Sequence, residues 1–354
     1  MALRQKIRFC TASDGVRLAY ASVGNGPPLV KAPNWLTHIE LELHNPIWRH
    51  WIEALSQRFS YARYDARGCG LSDRDPPDLS FESWVRDLEA VVDALGLERF
   101  PLLGLSGGGP IAIAYATRHP ERVSQLILYG SFARGRAHRN PEALEEGQLL
   151  YKLMELGWGR RDPSFRHVFA KQFVADATPE LVEAFDRLQC SGSSASDALR
   201  MMQVSMQVDV TREARAIRCP TLIMHATEDV RIPFEEGRVL AGLIPDARFV
   251  PLESRNHILL EGEPAWARFL EEVEAFVPGV RAVASFPALT TREREVLDFV
   301  ARGMDNHQIA AHLGISEKTV RNVVSSVLDK LQVESRAQAI VRARDSGYGM
   351  PSTA

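Results

Sequence analysis

PLLGLSGGGPIAIAYATRH, Pro101–His119, is the stretch on which the fold turns. PLLGLS reads as a buried strand, and PIAIAYATRH continues as an apolar helix pattern. Between them, Gly104-Leu105-Ser106-Gly107-Gly108 has the form G-x-S-x-G. A serine on a sharp strand-to-helix turn needs minimal side chains two residues to either side. The helix N-terminus and the N–H of the next residue then face the place where an oxyanion would form. The string alone is common by chance; its position between strand and helix gives it weight.

Working outward, residues 7–33 read as short strands (IRFCTA, VRLAYASV, PLVKAP) parted by turns at Ser13-Asp14-Gly15 and Gly24-Asn25-Gly26-Pro27. A helix pattern lies near Trp48–Arg58, SYARYDARG runs from strand into loop, and a helix begins after Ser80 and reaches about Leu95. QLILYGS is another buried strand. Apolar runs without alternation, separated by helices, predict a parallel sheet covered on both faces. From about residue 133 to 217 the pattern is helical only (LLYKLMELGW, FRHVFAKQFV, PELVEAFDRL, ASDALRMMQVSMQ), which predicts a lid inserted over one end of the sheet. Strand and helix alternate again in CPTLIMHATED, ARFVPLESRNH and AWARFLEEVEAFV. The expected organisation is an α/β domain over 1–278, a linker over 279–288 and a small all-α domain of four helices over 289–354.

Serine chemistry needs a base and an acid to orient it. Asp229 ends the strand TLIMHATED, and His257 follows FVPLESRN, so both fall at strand ends in the order Ser, Asp, His. His257 is placed as general base, with Asp229 fixing its tautomer and stabilising the imidazolium. Glu228 and His225 are near neighbours and rank lower. Taken singly, any of these is equally well a surface loop residue; the order of all three is what selects them.

Over about residues 7–278 the sequence resembles the α/β-hydrolase superfamily, and YDARGCGLSD (Tyr64–Asp73) is similar to that family's loop after its fourth strand. The resemblance implies an eight-stranded, mostly parallel sheet, a helical lid and the triad Ser106, Asp229, His257. A serine at the elbow argues against the dehalogenase and epoxide hydrolase branches, which use aspartate there. Ester, lactone, amide or activated C–C hydrolysis stays open, and none needs a cofactor. The chain departs from the family's usual His-Gly after the third strand, where Ala32-Pro33-Asn34-Trp35 stands. Gly107 and Trp35 are the candidate oxyanion donors through their N–H groups, and Trp35 reads equally as a pocket wall.

The tail is helical throughout. Thr290 or Thr291 caps a first helix with an apolar stripe of Leu289, Val296, Leu297 and Val300, and a second carries Ile309, Ala310 and Leu313. Gly314-Ile315-Ser316 turns into a third helix from Glu317 to about Leu331, and a fourth follows Ser335. This spacing describes a helix-turn-helix, although small helical bundles also serve as protein-binding modules. The segment strongly resembles the LuxR-type DNA-binding domain. It matches L-T-x-R-E-x-E-V-L at Leu289–Leu297, G-x-x-N-x-x-I-A at Gly303–Ala310, L-x-I-S-x-x-T-V at Leu313–Val320 and K-L-x-V-x-x-R-x-Q-A at Lys330–Ala339. By that resemblance Lys318, Thr319, Arg321, Asn322 and Ser325 occupy the exposed face of a recognition helix. Arg321 and Asn322 suit base edges, and Lys318 and Thr319 suit phosphates. Val323 and Ser325 depart from the family's common histidine and basic residue. The fourth helix resembles the one through which such domains dimerise, so a homodimer on double-stranded DNA is expected.

Bulk properties set limits. A net charge of −3 gives no sign of nucleic acid binding. Glu317–Arg344, however, holds six Lys/Arg (Lys318, Arg321, Lys330, Arg336, Arg342, Arg344) against Glu317, Asp329 and Glu334, an asymmetry that a solvated helix face also shows. Cys10, Cys69, Cys190 and Cys219 are scattered without metal spacing, which fits a reduced cytoplasmic protein without zinc. No apolar run is long enough for a signal peptide or membrane span. Two functions follow: a transcriptional regulator whose hydrolase-like domain binds a small acyl, ester or lactone ligand, with or without hydrolysing it, or an active serine hydrolase (esterase or lactonase) with an accessory DNA-binding tail.

Overall fold

The computed structural model describes residues 3–158, 160, 162–279, 289–331, 333, 335–345 and 348–349. The chain divides into two compact units, Met1–Val280 and Arg281–Ala354. Beyond Gly279, the linker expected over 279–288 lies outside the described residues.

The first unit is built on eight strands: β1 (Lys6–Thr11), β2 (Arg17–Val23), β3 (Pro28–Lys31), β4 (Ser60–Tyr64), β5 (Phe100–Leu105), β6 (Val123–Tyr129), β7 (Thr221–Ala226) and β8 (Arg248–Leu252). Their order is β1-β2-β4-β3-β5-β6-β7-β8, with β2 antiparallel to both β1 and β4 and every later pairing parallel. Every residue of β5 and β7 is buried, as a strand covered on both faces requires. This is the expected mostly parallel α/β architecture.

Helices α1 (Arg49–Arg58), α2 (Phe81–Leu95) and α3 (Gly108–Arg118) pack on the sheet before the lid. In α2 the Ser80 side chain accepts from Ser83 N, while the Ser83 hydroxyl serves the Ser80 N–H. Trp84, Leu88, Val91 and Val92 form its buried stripe, each burial stabilising by about 1.5–3 kcal/mol. The lid is α4 (Pro141–Gly157), α5 (Ser164–Lys171), α6 (Pro179–Gly192), α7 (Ala195–Gln207) and the short α8 (Thr211–Arg215). Asn140, Thr178 and Ser194 cap α4, α6 and α7 through their side chains. Then α9 (Phe234–Leu243) joins β7 to β8, and α10 (Pro264–Phe276) closes the unit.

The second unit holds α11 (Thr291–Ala301), α12 (Asn306–Leu313), α13 (Glu317–Lys330) and α14 (Arg336–Asp345). Of the two threonines, Thr290 is the N-cap of α11, in a reciprocal capping box with Glu293. Asp305 and Ser316 cap α12 and α13, and Gly314 ends α12 in the left-handed conformation at φ +62°. Val296, Val300, Ile309, Val320 and Val324 share one buried cluster, and Leu289, Leu297, Val327 and Leu331 another.

Candidate active site and nucleic-acid interface

Ser106 stands at the junction of β5 and α3 with φ +54°, a conformation that costs a non-glycine residue about 1–3 kcal/mol. Its own N–H donates to Tyr129 O at 2.9 Å, and Ser131 Oγ donates to Ser106 O at 2.9 Å, so neighbouring β6 holds the turn. The flanking glycines are there for space. A Cβ on Gly104 would lie 2.7 Å from Gly109 Cα, and one on Gly108 would lie 2.9 Å from the carbonyl oxygens of Ala32 and Pro33. Helix α3 therefore starts directly against the loop that carries Trp35.

Asp229 and His257 are brought together from loops 28 residues apart. Oδ2 of Asp229 accepts from His257 Nδ1 at 2.7 Å, while Oδ1 accepts from the N–H groups of Arg231 and Ile232 at 2.8 and 2.9 Å. Burial alone would push the Asp229 carboxyl up; the charge and hydrogen bond of His257 outweigh it and hold the group below the usual carboxylate range. The carboxylate thus fixes Nδ1 as the protonated nitrogen of His257 and leaves Nε2 as the basic one. Nε2 is buried and, among the described residues, has no hydrogen-bond partner, so no bond yet joins it to Ser106. Gly130, at φ +54°, passes so close that a Cβ would lie 3.1 Å from His257 Cε1.

The lower-ranked neighbours separate. His225 is buried behind Asp229, with Nε2 3.6 Å from Oδ2 and donating to Ile232 O at 2.9 Å. Burial holds it neutral, against the pull of Asp229. Glu228 is exposed and lies 3.9 Å from Arg255.

Gly107 and Trp35 both line the cavity that contains Ser106. Among the described residues, neither backbone N–H donates to another backbone group. The Trp35 ring is also a wall, since its Nε1 donates to Gln189 Oε1 on α6 at 2.9 Å and the ring packs on Phe169. Both readings of Trp35 are compatible with this placement. At Asn34, which stands where the family's glycine is usual, the amide oxygen accepts from the buried Lys31 ammonium. Burial lowers that ammonium to about 8. Sequence reasoning missed this anchor, and it missed Arg136, Arg139 and Arg231, which also line the cavity. Among the described residues no group of three His, Cys, Asp or Glu side chains is arranged to hold a metal.

In the second unit Val320, Val324 and Val327 face inward along α13, and the complementary face presents Lys318, Thr319, Arg321, Asn322 and Ser325, all exposed. The Thr319 hydroxyl lies 2.8 Å from Ser316 Oγ and is part of the cap. Glu317 is bound by His307 of α12 at 2.7 Å, which draws an acidic group away from the exposed cations.

The family model described as alpha/beta hydrolase fold matches residues 42–264, and that described as bacterial regulatory proteins, luxR family, matches residues 287–343. The chain belongs to the α/β-hydrolase fold family. Its C-terminal domain is a luxR-family regulatory domain, so the chain joins a hydrolase fold to a DNA-binding helix-turn-helix. It is 30% identical over 212 residues to "Putative carbamate hydrolase RutD" of Klebsiella pneumoniae, covering 59% of this chain and 79% of that protein. It is 28% identical to the AB hydrolase superfamily protein YisY of Bacillus subtilis, covering 70% and 91%. Among solved structures, a hydrolase from Pseudomonas aeruginosa superposes with TM-score 0.64 at 25% identity, covering 77% of this chain and 98% of that one. No helix among the described residues is long and apolar enough to cross a membrane.

Proposed function

We propose that this hydrolase-fold regulator binds a small ester, lactone or related acyl compound beside Ser106, hydrolyses it, and alters its DNA binding according to occupancy. The observation that carries the reading is the strained Ser106 turn in a chain that also holds the Asp229–His257 pair and a luxR-family domain. A site that only held its ligand by shape would have no use for a backbone strain of about 1–3 kcal/mol at one serine. The strain favours chemistry over passive binding.

In this reading Nε2 of His257 takes the Ser106 proton as Oγ attacks the acyl carbon, and Asp229 stabilises the imidazolium. The N–H groups of Gly107 and Trp35 receive the oxyanion. His257 returns the proton to the leaving alcohol, and water repeats the sequence to free the acid. Arg321 and Asn322 read base edges while Lys318, Thr319 and Ser325 contact the backbone. The protein acts as a homodimer through α14, in the cytoplasm where the DNA is.

The test is hydrolysis of short-chain nitrophenyl esters by wild type and Ser106→Ala, with gel shifts on a DNA sequence selected from a random pool. Turnover lost in the variant, and occupancy of DNA that changes when ester is added, are expected. Equal rates in the two proteins would remove Ser106 as nucleophile. DNA occupancy indifferent to every acyl compound tried would leave a hydrolase with an accessory tail. A monomer by light scattering on that DNA would overturn the dimer.

A further inference from the structure

Three arginines, Arg136, Arg139 and Arg231, and, among the described residues, no acidic side chain line the cavity that holds Ser106. Two of the three have a carboxylate nearby. Arg136 meets the exposed Glu146 at 2.5 Å, and Arg139 lies 3.7 Å from Glu236, which Arg134 approaches more closely, at 3.2 Å. That arrangement leaves Nη1 of Arg139 buried without a hydrogen-bond partner among the described residues.

Arg231 is the outlier. Its Nη1 donates to the neutral Gln172 Oε1 at 2.9 Å, and its guanidinium lies 4.9 Å from the centres of the Phe169 and Phe173 rings. No carboxylate pairs with it among the described residues. Asp229, two positions earlier, has its oxygens taken by His257 and by backbone N–H groups. Arg231 is half-buried, so its guanidinium loses part of its hydration, and an amide and two aromatic faces return only part of that loss. Burial accordingly lowers Arg231 to about 9. An anion arriving in the cavity would recover the remainder through charge-assisted bonds, which for a carboxylate are bidentate.

We infer that the ligand of this cavity carries a carboxylate of its own, held by Arg231 with Arg139 beside it, in addition to the acyl group presented to Ser106. Met201, Met202, Met206 and Phe132 make the rest of this wall apolar. Arg231 is the one of the three arginines with no paired carboxylate among the described residues, and one such guanidinium beside apolar side chains matches a singly charged carboxylate on a hydrocarbon chain, which it holds through two parallel bonds. The inference rests on the acyl-ligand reading above and narrows it to acidic esters or lactones, such as half-esters of dicarboxylic acids.

The test uses full-length Ser106→Ala protein and two probes with the same ester group, monomethyl glutarate and dimethyl glutarate, by isothermal titration. We expect the half-ester to bind at least about tenfold more tightly, the effect of one desolvated charge-assisted pair. In Arg231→Gln the ratio should collapse to about one, while Arg231→Lys keeps part of it. Equal affinities, tighter binding of the diester, no binding of either probe, or a ratio that survives Arg231→Gln would each overturn the inference. The probe comparison in the Ser106→Ala protein alone decides the case if the arginine variants do not fold, and inorganic phosphate competing better than the half-ester would also overturn it. Nitrophenyl butyrate turnover by the wild type separates the two ideas. Turnover without half-ester preference sinks the carboxylate alone, and preference without turnover sinks only the hydrolysis.

Discussion

Glu293 on α11 binds Lys330 on α13 at 2.8 Å and, through its other oxygen, Ser326 on the same helix at 2.7 Å. The same carboxylate accepts from Thr290 N at 2.7 Å, closing the cap of α11. One side chain thus ends one helix and braces the helix that presents Arg321 and Asn322. Those bonds, the Lys330 one first, hold the Glu293 carboxyl down at about 2. The folded value is depressed, so its stabilisation is complete above the ordinary value of 4.5 and is lost as pH falls from there towards about 2. Glu293→Gln should therefore destabilise the helical unit by about 1–2 kcal/mol at neutral pH. Its melting-temperature deficit against wild type should shrink between pH 4.5 and 2. A deficit independent of pH would show that the charge of Glu293 does not matter.

Asp229→Asn tests the orientation of His257. The amide can still accept from the Arg231 and Ile232 N–H groups, but a neutral group no longer supports the imidazolium. Ester turnover by the variant should fall by about 10³–10⁴-fold with little change in KM. A fall of less than about tenfold would mean that neighbouring His225 or solvent does the orienting.

Gly108→Ala probes the contact between α3 and the Trp35 loop. In an open helix the change would be favourable by about 1 kcal/mol. Here the new Cβ meets two carbonyl oxygens at 2.9 Å, and the loop must move. A net destabilisation of about 1–3 kcal/mol is expected, with kcat reduced more than KM because the Trp35 N–H shifts. A more stable, fully active variant would place the oxyanion donors elsewhere.

On a DNA sequence selected with wild type, Arg321→Ala should lose about 1–3 kcal/mol of specific binding and relax the preference at one base pair. Lys318→Ala should weaken all sequences alike and lower the salt dependence by about one released counterion. If Arg321→Ala keeps the full sequence preference, that residue contacts phosphate instead.

Much of this was legible because motifs report on local geometry. G-x-S-x-G marks a turn whose neighbours must be small, and Gly104 and Gly108 are pressed by backbone in the way that the spacing requires. The strand, lid and tail patterns led to the observed sheet and helices. Helix α9 was less legible: it lies in a stretch whose apolar residues, Phe234, Val239 and Leu240, follow no motif. Its contact with His225 through Gly237 appears only in three dimensions.

By itself, then, the sequence determined the two folds, the strand ends where Ser106, Asp229 and His257 stand, and the exposed helix that bears Arg321. These depend on residues close together in the chain, where spacing and turn chemistry decide the conformation. Only the tertiary structure decided that Glu293 braces α13, and that Arg231 lines the cavity with no carboxylate paired to it among the described residues. The physical reason is that desolvation and charge pairing depend on which groups approach through space. Arg136, Arg139, Gln172 and Arg231 are drawn from 96 positions of chain and meet only once the lid has folded over the sheet.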